Sequence, residues 1–136
     1  MNELWAAFRV APENVSRWAT LHVTTIYKIC ERAAWREAEN AGLYRGSVVD
    51  ERDGFIHFST AAQVAETAAK HFAGQTGLML IAVDGGALGS ALKWEVSRGG
   101  ALFPHLYGVL PMTAVRWARP LPDEVGGRRD IAELEL

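Results

Sequence analysis

His57, Ser59 and Thr60 lie within four consecutive positions. Phe55-Ile56-His57-Phe58-Ser59 has the alternation of a strand, and Thr60 and Gln63 have the spacing of a helix-capping box. An imidazole and two hydroxyls at a helix start, where backbone N–H groups favour anions, suit a phosphate, a ribose or a carboxylate. The same residues also suit a structural arrangement, a half-buried histidine bonded to a carbonyl with the hydroxyls as caps. A second group is Lys93, Glu95 and Ser97 on one face of the strand 92–97, followed by Arg98. A carboxylate beside a lysine can orient a ribose, stabilise a developing cation or act as a general base; a solvated sheet edge has the same pattern. A third is His105 and Tyr107 between Pro104 and Gly108, where rings can stack on a base or a nicotinamide, or close a lid over the core.

These residues need a frame. Thr25 to Cys30 is β-branched and aromatic and predicts a first strand. Glu31 to Ala41 predicts a helix ended by Gly42, with Cys30 at its opening. Gly46, Asp50, Asp53 and Gly54 predict a polar loop before the His57 strand. A second helix is expected from Thr60 to about Phe72, stopped by Gly74. The apolar run Leu78 to Val83 predicts a central strand covered on both faces. In Leu92 to Ser97 the alternation turns Leu92, Trp94 and Val96 inward, opposite the polar set. Phe103 to Gly108 reads as an aromatic loop or short strand, and Ala114 to Ala118 as a closing strand. Residues 1–23 read as an appendage with a short helix near Asn14 to Leu21, residues 24–119 as the core domain, and residues 120–136 as a loose tail.

Composition narrows the function classes. One domain fits 136 residues, and 49% hydrophobic with 22% charged residues is ordinary for a folded globular chain. A formal charge of −2 argues against wide electrostatic capture of nucleic acid, and the lack of a long apolar run argues against a membrane span. A small phosphorylated partner is compatible with 11 Arg against 3 Lys, a bias that an Arg-rich codon usage also produces. The single Cys30 fits a reducing compartment, and the start of the chain lacks a secretory pattern, so a cytoplasmic address is expected. The four histidines lack zinc-protease spacing; a mixed site of His57, His71 and Asp84 is the remaining arrangement, and no metal is expected. A monomer or weak homodimer is expected.

A resemblance joins these pieces. Ile26-Tyr27-Lys28-Ile29, Trp35, Gly46-Ser47, Asp53 to Thr60, His71-Phe72-x-Gly74, Leu92-Lys93-Trp94-Glu95, Ser97 to Gly100 and Phe103 to Gly108 resemble the bacterial family called domain of unknown function 952, over about residues 24–119. That family is similar in fold to the ADP-ribosyltransferase and RNA 2'-phosphotransferase group. The resemblance therefore implies an α+β domain with a mixed, split β-sheet, flanking helices, and a cleft that binds NAD or ADP-ribose. By position in that group, Tyr27 or Lys28, His57 and Glu95 occupy the three NAD-contacting places. Glu95 and His57 are the implied catalytic pair, with Lys28, Tyr27, Ser59, Thr60, Lys93, Ser97, Arg98, His105 and Tyr107 around the ligand. A non-catalytic binding module on the same fold is the alternative.

Overall fold

The structure, a computed structural model, describes residues 24–136; the appendage expected over residues 1–23 lies outside them. Strand β1 (Thr25–Glu31) pairs antiparallel with β4 (Leu78–Asp84), which pairs in turn with β8 (Val115–Pro120). The apolar run is thus the central strand of its sheet, as its composition predicts. A second sheet has the order β3 (Ile56–His57), β6 (Leu102–Leu106), β5 (Leu92–Val96), and β2 (Leu43–Tyr44) pairs with β7 (Leu110–Pro111). All these ladders are antiparallel, so the mixed sheet expected from the sequence is not formed. The molecule is α+β, with three small sheets and three α-helices among the described residues.

Alternation along β1 and β4 gives the first sheet two apolar faces. Ile26, Cys30, Ile81 and Val83 pack against Trp35 and Ala38 of helix α1 (Arg32–Ala41). Tyr27, Ile29, Leu80 and Ala82 pack against Val64 and Ala68 of helix α3 (Val64–His71). Cys30 lies inside β1 rather than at the opening of α1, whose N-cap is Glu31; burial pushes its thiol up to about 12, so it stays protonated and inert.

Two sequence expectations fail for identifiable reasons. The segment after β2 is not all loop: it holds helix α2 (Val48–Asp53), started by a capping box between Ser47 and Asp50. Polar composition hid a helix too short to show a period. Nor is the C-terminal segment loose. Leu121 is buried, and the Arg129 guanidinium donates to the carbonyls of Phe72, Gln75 and Pro122, pinning the chain end over α3. Ile131, Leu134 and Leu136 extend the second core. No described helix is long and apolar enough to cross a membrane.

The two three-stranded sheets meet at one point. Tyr27 and Ser59 exchange both backbone hydrogen bonds at 2.8 Å, and beyond this bridge β1 and β3 part. Alternation then directs the backbone groups of Ile29 and Glu31 to the same side as those of Tyr27, into the gap. The gap is the floor of a cleft.

Candidate functional site

The cleft has a volume of about 840 Å³ and draws its walls from β1, α2, β3, α3 and β6. Its polar centre is Asp50, a residue the sequence reading passed over as loop punctuation. Asp50 is 2% exposed. One carboxylate oxygen accepts from Ser47 N–H at 2.8 Å and sits 2.7 Å from Lys28 Nζ; the other accepts from His57 N–H at 3.2 Å and lies 2.6 Å from His57 Nδ1. Burial alone would raise this carboxyl, but the His57 hydrogen bond and the Lys28 ammonium outweigh it and hold Asp50 well below the usual carboxylate range. Buried charge is tolerated only with such full pairing. Gly46 makes the packing fit: it sits at φ +104°, and a Cβ there would come within 2.8 Å of Asp50 Cβ.

His57 is occupied on its other side as well. Nε2 lies 3.0 Å from Asp53 Oδ2, so each ring nitrogen faces a carboxylate oxygen. Lys28, His57, Asp50 and Asp53 thus form one connected cluster, with the Arg52 guanidinium 3.0 Å from Asp53. Asp53 is held low by hydrogen bonding from Arg52 and by His57.

Across the strands, His57 faces His105, with ring centroids 5.5 Å apart. His105 is 5% exposed and its ring stacks on Phe55 at 4.1 Å. Its Nδ1 bonds Glu95 Oε1 at 2.8 Å, and Tyr107 donates its hydroxyl to the same oxygen at 2.8 Å. These two bonds, His105 first, hold Glu95 below its ordinary value, while the carboxylate raises Tyr107. With Nδ1 taken by Glu95, Nε2 of His105 has no hydrogen-bond partner among the described residues.

The structure therefore regroups the residues expected from the sequence. Lys28, Tyr27, His57, Ser59, Ser97 and His105 line the cleft. Glu95 and Tyr107 do not reach it; they orient His105 from behind. Lys93 is exposed and lies across the strand from His105. Ser59 is buried in the bridge and bonds Thr67 Oγ1 at 2.9 Å, and Thr60 donates its backbone N–H to Gln63 Oε1 at 3.0 Å as a helix start. Arg98 falls in the turn Arg98–Gly100, and its side chain lies outside the described part. His57, His71 and Asp84 do not assemble into a three-ligand group. The strand 92–97 is turned over relative to expectation: Trp94 and Val96 are 42% and 69% exposed, because the opposite face carries the Glu95–His105 contact. The missed Asp50 and Asp53 had a signal in the Ser47-x-x-Asp50 capping spacing and in the four-residue step from Asp53 to His57.

Residues 29–118 match the family described as "Protein of unknown function (DUF952)", and the chain belongs to that family. Among solved structures it is similar to protein CC0527 from Caulobacter crescentus. The X-ray structure of CC0527 shares 48% sequence identity with a TM-score of 0.79, covering 83% of this chain and 100% of that one. The solution NMR structure of CC0527 gives 47% identity, a TM-score of 0.73, and coverage of 81% and 95%. No functionally curated protein matches the chain.

Proposed function

We propose that the protein binds a small phosphorylated molecule of the nucleotide class, NAD, ADP-ribose or a close relative, in the cleft where the two sheets part. The observation that carries this reading is His105 on the wall of an 840 Å³ cleft, oriented through Nδ1 by Glu95 and with Nε2 unpartnered among the described residues. That volume is in the range of small-molecule and cofactor sites. A sugar hydroxyl bonded to Nε2 gives the ligand a fixed anchor, and the part-exposed ring of Phe72 offers apolar surface for a base. Two sheets diverging from a single bridge also agree with the split-sheet architecture of the ADP-ribosyltransferase group, which is the source of the NAD expectation.

Binding without turnover has its own support. His57 is engaged at both nitrogens and Glu95 stands behind His105, so neither residue of the implied catalytic pair is poised to contact a glycosidic bond. His105, oriented by a carboxylate, is the group able to accept a proton from a bound hydroxyl if a reaction occurs. Calorimetric titration with NAD and with ADP-ribose tests the reading. A saturable heat with at least one of them, weakened tenfold or more in His105→Ala, is the expected result. Heats at the dilution baseline for both ligands refute it. Release of nicotinamide from NAD separates an enzyme from a binding module.

A further inference from the structure

Strand β5 is the outer strand of the β3–β6–β5 sheet. Tyr107 N–H donates to Ala91 O and Ser97 N–H to Ala101 O, so the odd-numbered residues of this segment pair with β6. Antiparallel alternation turns the N–H and C=O groups of Leu92, Trp94 and Val96 to the open side. Trp94 and Val96 are exposed, and so is Leu102, which stands opposite Val96. Among the described residues this edge is unpaired, and an edge flanked by exposed apolar side chains is a template for another strand. Soluble proteins commonly place a lysine, a proline or a bulge there to prevent pairing, and here the one lysine of the strand sits two residues from a glutamate.

The sequence of this edge specifies its partner. Leu92-Lys93-Trp94-Glu95-Val96 is complementary to itself about Trp94. We propose that β5 pairs antiparallel with β5 of a second copy of the chain, with the two-fold axis at Trp94. Trp94 then exchanges both backbone bonds with its counterpart, and Leu92 does so with Val96 of the other copy. Those are the residues whose backbone groups face outward. Lys93 of each copy stands opposite Glu95 of the other as a non-hydrogen-bonded pair, the position in which facing side chains are closest. The shared register also aligns the apolar outer faces, and the result is a six-stranded sheet with an isologous interface. Nothing in this pairing depends on the ligand.

The pairing reaches the cleft. His105 and Tyr107 both use Oε1 of Glu95, which leaves Oε2 to accept from Lys93 of the second copy. Each subunit thereby supplies a cation behind the carboxylate that orients the other's His105.

Sedimentation velocity of the full chain over a hundredfold concentration range tests the proposal. Wild type is expected to move toward twice the mass of 14.9 kDa as concentration rises. Lys93→Glu and Glu95→Lys each place like charges opposite one another and are expected to weaken the dimer at least tenfold. Mixing the two variants restores opposite charges at both positions and is expected to restore a heterodimer. Trp94→Pro removes an outward N–H that the β6 ladder does not use, so it is expected to give a folded monomer by circular dichroism. Wild type at the single-chain mass throughout, a dimer that survives Trp94→Pro, or a mixture of the charge variants that stays monomeric would each overturn the proposal.

Discussion

Two histidine–carboxylate pairs face each other in this cleft, and they do opposite work. His57 is bound by Asp50 at one ring nitrogen and by Asp53 at the other, and its cluster includes the buried Lys28. His105 is bound by Glu95 at Nδ1 alone. The first pair closes a strut between β1, α2 and β3 with both ring nitrogens engaged; the second leaves one ring nitrogen without a partner among the described residues. The contrast shows that a histidine beside an acid is not by itself a reactive site. What decides is whether the second ring nitrogen is already used.

Substitution should separate the two pairs. Asp50→Ala leaves Lys28 buried without its counter-charge and is expected to cost about 3–5 kcal/mol of stability, read from urea unfolding. Glu95→Gln, at a solvated position, is expected to leave the urea midpoint in place while weakening binding to the cleft. Gly46→Ala forces a Cβ against Asp50 at a positive φ and should cost on the order of 2 kcal/mol through the same cluster. A midpoint unchanged in Gly46→Ala would show that Asp50 is not held as described.

The strut also has a pH signature. Asp50 is held below its ordinary 3.8, so the unfolded chain binds its proton first as pH falls. The stabilisation is fully present above that value and is lost on acidification through the lower folded-state value. Wild type should therefore lose stability below about pH 4 more steeply than Asp50→Asn, as measured by urea midpoints at a series of pH values. The smallest effect is expected at Tyr44. Its hydroxyl is buried with only the weakly bonding Cys30 sulfur beside it, so Tyr44→Phe should change stability by less than about 1 kcal/mol.

How far the sequence carried depended on what each residue's signal was. The central strand β4 was legible because an apolar run of that length has few other uses, and α1 because Gly42 supplies the left-handed stop after Ala41. The His57 position at a strand end was legible from alternation. Asp50 was not, because its role arises from Lys28 and His57, 22 residues before it and seven after, and such convergence leaves no local pattern. Glu95 was found as a residue, but its bond to His105 was not: alternation shows which neighbours share a face, and His105 belongs to a strand ten residues later. Trp94 and Val96 were assigned inward because apolar side chains are usually buried. On an edge strand that inference fails, and the failure itself marks a surface.

The contrast between the two histidines is tested most directly by nitrogen-15 NMR of the imidazole rings, with and without ADP-ribose. The account predicts a hydrogen on Nδ1 of His105, a bare Nε2 whose resonance moves when the ligand is added, and His57 ring resonances that stay in place. A His105 ring protonated at Nε2 in the free protein, or a ligand response centred on His57, would contradict it.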